Sequence, residues 1–189
     1  MRRKLIHLSS FLIPLLYYVI PPEWHPRLLL IGFTVIYITL DVLRLRIKKL
    51  RILFQRIFEG VIKPEERANL TAGTWLLVAA DIAVILFPKE IAVLALAYTA
   101  IGDTSAYFIG KRYGKRKVLG KKTVEGTLGG LLANVLLALL FPGPKHVFLI
   151  GAVIASFSEL LPLPPDDNFC IPLLSGGIMT LCSGITFSL

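Results

Sequence analysis

One stretch of the chain, Gly102–Gly130, combines a carboxylate, cations and glycines in an order that suits phosphate chemistry. Asp103 lies near the end of an apolar segment, and a glycine-containing loop with seven Lys and Arg residues follows it. Burying a charge in a membrane costs about 2.5 kcal/mol or more, so a carboxylate at this position calls for a compensating role. The cations directly after it predict a bound anion, such as a nucleotide phosphate, held together with a metal ion.

The motif Lys122–Gly126, preceded by Lys121, is the candidate anion-binding part of this loop. Lysine pairs with phosphate as a point charge, and the flanking glycines let the backbone approach a ligand closely. If a helix starts here, its N-terminus adds free N–H groups. The motif is not a P-loop, because five residues rather than four separate Gly114 from Gly120 and no strand precedes them. A solvated loop that only sets membrane topology is the alternative.

A second acidic group follows near the end of the sequence. Glu159 lies near the end of an apolar segment, and Asp166-Asp167-Asn168 follows a turn that three prolines stiffen. Mg²⁺ takes oxygen ligands and is often held by one or two carboxylates plus substrate phosphates, so Asp103, Asp166 and Asp167 are its candidate ligands. The alternatives are an ion pair between Asp103 and the basic loop, and a helix N-cap at Asn168 or one aspartate.

The N-terminal residues Arg3, Lys4 and His7 form a third polar group. On a helix, His7 shares a face with Lys4 at i,i+3 and with Arg3 at i,i+4. Cations at the start of a membrane protein usually set its topology, but a histidine inside an apolar run is unusual. His7 therefore strengthens the case that this face contributes to ligand binding.

Long apolar segments must position these groups. Hydrophobic residues make up 55% of the chain and fall in runs between short charged loops, which is typical of an all-α, polytopic integral membrane protein. Several runs are shorter than the roughly 20 residues that cross a bilayer upright, which suits broken helices around a membrane site. We expect one transmembrane catalytic domain over residues 1–189, with seven spans at about 5–20, 28–42, 70–87, 91–109, 128–142, 146–162 and 170–188.

The Lys and Arg residues are distributed very unequally between the two sides of the predicted spans. Eighteen of the 21 Lys and Arg residues fall in the N-terminus, the loop 43–69 and the loop 110–127, which a seven-span chain places on one side. The positive-inside rule then puts the N-terminus and both loops in the cytoplasm. We expect a protein of the cell membrane, or of the endoplasmic reticulum in a eukaryote, with its active site on the cytoplasmic side. Because the cations abut membrane spans, we exclude nucleic-acid binding as the reason for the net charge of +9.

Between the second and third spans, the segment Asp41–Arg67 mixes apolar residues with cations. This pattern predicts a basic amphipathic helix in the cytoplasmic interface. Its role is either that of a connector with membrane affinity or that of an element that admits lipid or nucleotide.

Taken in order, the polar motifs resemble those of the CTP-dependent lipid kinase family. This family includes yeast-type diacylglycerol kinases, phytol kinases and the catalytic part of dolichol kinases, and it is related to phosphatidate cytidylyltransferases. The matching motifs are Arg3-Lys4 with His7, Asp41 with Arg44, Leu70–Trp75, Gly102–Ala106 with Gly110 and Gly114, Lys122–Gly126, and Glu159 with Asp166-Asp167-Asn168. The cytidylyltransferase branch ends in an acidic pair around an arginine, which this sequence lacks, so the resemblance favours the kinase branch.

The resemblance implies CTP as phosphoryl donor, Mg²⁺ as cofactor and a membrane lipid alcohol as acceptor, either dolichol, polyprenol or a related isoprenoid alcohol, or a diacylglycerol-like lipid. It implies that Asp103, together with one or both of Asp166 and Asp167, binds Mg²⁺. It also implies that Glu159, Asp166 or Asp167 accepts the proton of the lipid hydroxyl. The resemblance also implies that Glu125 orients Lys122 or binds the metal. The residues implied in nucleotide or substrate binding are Arg3, Lys4, His7, Lys111, Arg112, Lys121, Lys122, Thr123, Glu125, Gly126 and Asn168.

Two other functions stay open at this point. A phosphatidate-type cytidylyltransferase would make a CDP-lipid from the same CTP. A small multi-pass lipid or solute transporter would need polar residues in mid-membrane on several spans, whereas the acids of this chain lie at one edge. The short spans and the polar edge also fit a homodimer.

Overall fold

The computed structural model describes residues 2–184, and it is predominantly helical, as the sequence predicts. The helices are α1 (Arg2–Ser9), α2 (Leu12–Val19), α3 (Pro26–Arg46), α4 (Lys48–Ile57), α5 (Ala72–Leu86), α6 (Lys89–Tyr113), α7 (Val124–Leu140), α8 (Lys145–Leu160) and α9 (Asp167–Cys182). Short 3-10 turns cover Pro22–Trp24 and Glu65–Arg67. The end of the seventh predicted span, residues 185–188, lies outside the described residues.

One part of the chain departs from the expected all-helical fold. β1 (Lys117–Leu119) and β2 (Lys122–Thr123) form a two-stranded antiparallel hairpin inside the basic loop. Gly120 takes a φ of +57° in the connecting turn, a value that glycine adopts without steric cost. Strands this short carry no readable period, so the sequence pattern did not predict the hairpin. It gives the basic loop a defined path from α6 to α7.

The first predicted span is divided into two helices. The hydroxyl of Ser10 donates to the carbonyl of His7 at 2.5 Å where α1 ends. Pro14 has no N–H, and its ring clashes with a helical carbonyl four residues before it, so an unbroken helix is disfavoured here. The break makes α1 a separate element, which packs against α6.

Among the described residues, two helices are long and apolar enough to cross a membrane. They are Pro22–Arg46, which joins the first 3-10 turn to α3, and Lys89–Tyr113, which is α6. The shorter α7 also has an apolar outer face, on which Leu128, Leu132 and Leu136 are 58%, 59% and 50% exposed. Apolar side chains exposed at this density suit a lipid environment. These features fit the membrane protein that the sequence predicts, while seven spans and their orientation stay predictions.

The core forms around α6, which packs against α2, α5, α7, α8 and α9. Small residues let α6 and α7 approach closely, since a Cβ on Gly126 would lie 2.8 Å from the carbonyl oxygen of Ala106 and 3.1 Å from the Cα of Gly110. Tyr98, only 1% exposed, donates from its hydroxyl to the carbonyl of Phe148 at 2.9 Å and ties α6 to α8. These contacts hold α6, the helix that carries Asp103, from several directions.

A buried network of charged groups ties α3 to the chain that leads into α5. The Arg44 guanidinium donates to Asp41 at 2.5 Å and to the carbonyl oxygens of Glu66 and Asn69 at 3.1 and 2.7 Å. Asp41 also accepts from the backbone N–H of Thr71 at 2.9 Å. Asp41 and Arg44 are 3% and 2% exposed, so the network is a fully interior connection.

The segment predicted as one interfacial helix is divided at Ile47, where the backbone is extended between α3 and α4. The cations of α4, among them Lys48 and Lys49, are exposed, whereas its Phe54 is half-buried. The Arg44 guanidinium carbon lies 4.7 Å from the centre of the Phe54 ring. The buried network therefore also fixes the inner face of α4.

Candidate active site

Six cations and three carboxylates line a single cavity of about 560 Å³, which we name the cationic cavity. Its walls come from α1, α6, the hairpin, α7, the end of α8 and the start of α9. The ionisable residues that line it are Arg3, Lys4, Lys63, Lys111, Lys121, Lys122, Asp103, Glu159 and Asp167. The N-terminus and the two loops that the charge pattern assigns to one side of the membrane thus meet at this cavity.

Asp103 contacts α1 across the wall of the cavity. Lys4 Nζ lies 2.6 and 2.5 Å from its two carboxylate oxygens, and His7 Nε2 lies 3.1 Å from Oδ2. His7 Nε2 also lies 3.2 Å from the carbonyl oxygen of Thr99. Because both neighbours of this nitrogen accept hydrogen bonds, we assign a proton to it. The ion-pair partner of Asp103 is therefore Lys4 of α1, 99 residues away in the sequence, rather than a residue of the adjacent basic loop.

Glu159 differs from the other two carboxylates of the cavity. It is half-buried at the end of α8, and a Cβ on Gly130 of α7 would lie 3.6 Å from its Oε2. Among the groups that the structure describes, no side chain or backbone N–H forms a hydrogen bond or ion pair with the Glu159 carboxylate. A partly desolvated carboxylate without a partner is unfavourable, so Glu159 is a strong candidate for a group that acts on a ligand.

The adjacent residues Asp166 and Asp167 occupy different environments. Asp167 lines the cationic cavity, where its Oδ2 lies 3.4 Å from Lys122 Nζ. Asp166 Oδ1 accepts from the backbone and side-chain N–H groups of Asn168 at 2.9 and 2.7 Å, so it caps α9. Its Oδ2 lies 3.5 Å from Lys63 Nζ. Asp166 does not line the cationic cavity, so the structure does not bring together the three expected metal ligands.

The basic loop is shaped by Thr123 and Glu125. The Thr123 hydroxyl accepts from the N–H of Gly126 at 3.2 Å and caps the start of α7. Glu125 Oε2 accepts from the N–H groups of Lys115 and Arg116 at 3.0 and 3.3 Å. Backbone N–H groups that donate to the Glu125 carboxyl lower its pKa, and the N–H of Glu125 itself makes the largest contribution. The carboxyl is therefore ionised at neutral pH. The partners of Glu125 are therefore backbone groups just before the hairpin, whereas Lys122 lies next to Asp167.

The cationic cavity brings together ten of the predicted site residues: Arg3, Lys4, Asp103, Lys111, Lys121, Lys122, Thr123, Gly126, Glu159 and Asp167. His7 and Asn168 line a smaller cavity beside it. Arg112, Glu125 and Asp166 line neither of the two. The Arg112 guanidinium lies 5.5 Å from the ring centre of its neighbour Tyr113 instead.

Among the polar residues that line the cavity, sequence reasoning missed Lys63, Tyr107 and Thr127. Lys63 contributes to the charge pattern that indicates membrane topology, and its spacing from the motifs gives no sign that it belongs to the site. The Tyr107 ring lies 5.4 Å from Lys4 Nζ and 6.0 Å from Lys111 Nζ. Tyr107 follows Asp103 at i+4, so the helical face of that aspartate could have identified it.

In the described part of the chain, no set of three or more His, Cys, Asp or Glu side chains is arranged to hold a metal ion. Asp103, Glu159 and Asp167 nevertheless offer oxygen donors to one cavity. Mg²⁺ uses such donors when one or two carboxylates hold it jointly with substrate phosphates. The donor chemistry therefore fits Mg²⁺ bound together with a phosphorylated ligand.

Comparison with known proteins is consistent with this geometry. Residues 3–161 match the cytidylyltransferase family. Over 94% of its length, the chain is 27% identical to CTP-dependent diacylglycerol kinase 1 of Eremothecium gossypii and 26% identical to that of Saccharomyces cerevisiae, of which it covers 65% and 71%. It is also 45% identical to the phosphatidate cytidylyltransferase of Aquifex aeolicus, over 29% of the chain and 23% of that protein.

The chain thus spans about two thirds of the length of the first two kinases that it matches. No solved structure matches it. The family match extends from α1 to the end of α8 and so includes Lys4, Asp103, Lys122 and Glu159 of the cationic cavity. The resemblance to CTP-dependent lipid kinases is confirmed, and the chain belongs to the cytidylyltransferase family.

Proposed function

We propose that the protein is a CTP-dependent kinase that phosphorylates the hydroxyl group of a membrane lipid alcohol. The observation that carries the proposal is the excess of cations over carboxylates in the cationic cavity. Lys111 and Lys121 form no ion pair within the described residues, so they are available to an anionic ligand. The similarity of most of the chain to proteins named CTP-dependent diacylglycerol kinases supports CTP as the donor.

In the proposed reaction, the hydroxyl oxygen of the lipid attacks the γ-phosphorus of CTP. A new P–O bond forms, the bond from the γ-phosphorus to the bridging β–γ oxygen breaks, and CDP leaves with that electron pair. Glu159, which has no partner among the described residues, accepts the hydroxyl proton. Lys4, Lys121 and Lys122 stabilise the negative charge of the phosphoryl oxygens, which is the main requirement of phosphoryl transfer.

Asp103 and Asp167 would hold Mg²⁺ together with the CTP phosphates. When bound there, Mg²⁺ neutralises charge on the β- and γ-phosphate oxygens. Asp166 is assigned a positioning role instead, because it caps α9 and thereby orients Asp167. Thr123 and Gly126 keep the start of α7 directed at the same cavity.

We further propose that this cavity faces the cytoplasm and that the lipid stays in the bilayer during the reaction. The cation-rich segments meet at one end of the bundle, which supports this orientation under the positive-inside rule. CTP is available on that side, and the hydroxyl of the lipid reaches the cavity from the membrane interface. Dolichol, polyprenol and diacylglycerol-like alcohols are all acceptors of this type.

Transfer of a cytidylyl group to a lipid phosphate is the second candidate, because 60 residues of the chain are 45% identical to a phosphatidate cytidylyltransferase. Both reactions use CTP, so the position of the label separates them. Purified protein in detergent is incubated with CTP labelled at the γ- or the α-phosphorus, together with lipid alcohol or phosphatidate. A kinase transfers the γ label to the alcohol. Transfer of the α label to phosphatidate, with none of the γ label on an alcohol, would refute the kinase proposal.

A further inference from the structure

A smaller cavity of about 200 Å³ lies beside the cationic cavity, between α1, α3, α4 and α5. We name it the apolar cavity, because much of its wall consists of hydrocarbon and aromatic side chains. Those side chains are Ile6, Phe54, Phe58, Val61, Ile62 and Leu76. None of the motifs that define the candidate active site requires a cavity of this kind.

The two cavities share a wall. Arg3, Lys4 and Asp103 line both of them, and His7 lines the apolar cavity next to Asp103. The polar groups of the apolar cavity therefore include those that face the transferred phosphoryl group in the proposed reaction. A molecule with one polar end and a hydrocarbon body matches this division of the lining.

The wall of the apolar cavity is firmly positioned. Tyr37 lies with its hydroxyl 3.3 Å from Thr71 Oγ1, and a Cβ on Gly73 would lie 2.5 Å from that hydroxyl. The rings of Phe54 and Phe58 have their centres 4.6 Å apart, and Phe54 also rests on the buried Arg44 guanidinium. The cavity is thus built by side chains that the buried network holds in place.

The size of the cavity limits what it can hold. A volume of about 200 Å³ corresponds to roughly seven water molecules, and hence to a similar number of chain carbons. That is room for the first part of one narrow chain. Two acyl chains that branch close to the hydroxyl carbon, as in a diacylglycerol, need more width at the polar end.

We propose that the apolar cavity binds the hydroxyl-bearing end of the acceptor, and that it selects a single-chain lipid alcohol over a two-chain one. The hydroxyl then lies where Lys4 and Asp103 form the shared wall, at the edge of the cationic cavity that Glu159 also lines. The remainder of the chain leaves past α4 into the bilayer. This inference rests on the proposed kinase function and narrows its acceptor class. It also gives the amphipathic α4 a role as one wall of the acceptor site.

The test uses the whole 189-residue chain with γ-labelled CTP and two acceptors, farnesol and diacylglycerol. We expect kcat/KM to be at least about tenfold higher for farnesol. Two variants narrow the cavity, Phe58→Trp and Leu76→Phe, and Phe157→Trp on the exposed face of α8 is the matched control. The narrowing variants should raise KM for farnesol about tenfold and leave KM for CTP unchanged, while the control changes neither.

A second readout does not depend on turnover. Farnesol that carries a diazirine should label the peptide that contains Phe54–Ile62, and Leu76→Phe should reduce this labelling. Equal or better use of diacylglycerol, or KM values that the narrowing variants leave unchanged, would overturn the acceptor assignment while the kinase proposal stands. Labelling confined to other helices has the same consequence. If neither alcohol accepts the γ label, both proposals fail together.

Discussion

Two charged clusters lie near the same end of the molecule, and they differ in how completely their groups are paired. In the buried network, Arg44 donates to one carboxylate and two carbonyl oxygens, and Asp41 also accepts from Thr71 and Thr74. In the cationic cavity, Glu159 and Lys121 have no ion-pair partner within the described residues. Both clusters belong to the set of motifs that the sequence shares with lipid kinases, yet only one of them has capacity left for a ligand.

The contrast separates a structural use of charge from a chemical use. A buried ion pair is retained only when its remaining hydrogen bonds are satisfied, because removing one partner leaves an uncompensated charge. A solvent-accessible cavity tolerates an excess of one sign, and that excess attracts a ligand of the opposite sign. Substitutions in the network should therefore affect folding, and substitutions in the cavity should affect turnover.

The largest effect is expected from Asp103→Asn. The amide keeps the size of the side chain but removes the charge that pairs with Lys4 and that would hold Mg²⁺, so turnover should fall about a thousandfold. The measurement is γ-label transfer from CTP to lipid alcohol. Glu90→Gln, an exposed acid at the start of the same helix, is the control and should retain activity. Near-normal turnover by Asp103→Asn would remove Asp103 from the active site.

Arg44→Leu tests the other side of the comparison. It leaves the Asp41 charge buried without its cation, which should cost about 3–5 kcal/mol of stability. We expect a clearly lower thermal unfolding midpoint in detergent. Arg46→Leu, at an exposed position of α3, should change stability by no more than about 0.5 kcal/mol. Equal midpoints for the two variants would mean that the buried network contributes little to folding.

Lys122→Ala should weaken nucleotide binding without unfolding the protein. A charge-assisted hydrogen bond contributes about 1.5–3 kcal/mol, so KM for CTP should rise roughly 10- to 100-fold. Lys117→Ala removes a cation from the same hairpin at an exposed position that does not line the cavity, and it should leave KM for CTP nearly unchanged. If both variants lose the same affinity, the hairpin acts only through its overall charge.

The smallest effect is expected at the α6–α7 contact. Gly126→Ala places a Cβ 2.8 Å from the Ala106 carbonyl oxygen, so the helices must separate slightly, at about 1–3 kcal/mol of stability. Gly177→Ala, in the interior of α9 with nothing within 4 Å, should instead gain about 0.5–1 kcal/mol. Thermal midpoints in detergent measure both changes. A stable Gly126→Ala variant would show that the close approach is not required.

Much of the helical framework could be predicted from the sequence. The apolar runs at about 70–87, 128–142 and 146–162 correspond to α5 (Ala72–Leu86), α7 (Val124–Leu140) and α8 (Lys145–Leu160). Hydrophobic segments of this length locate helices reliably because burial of their side chains does not depend on detailed contacts. The hairpin and the break between α1 and α2 were not predicted. The hairpin depends on a few backbone hydrogen bonds, and the break depends on Pro14 and on the Ser10 side chain.

The composition and order of the motifs determined that this chain is an apolar helical protein with acids and cations collected at one edge. Only the tertiary structure decided which of those groups meet. Lys4 reaches Asp103 across 99 residues because α1 packs on α6, a contact that no local pattern encodes. The side chains of Asp166 and Asp167 lie in different environments because α9 begins between the two residues. Asp166 has an extended backbone, and its side chain caps the helix. Asp167 is the first helical residue, and it lines the cationic cavity.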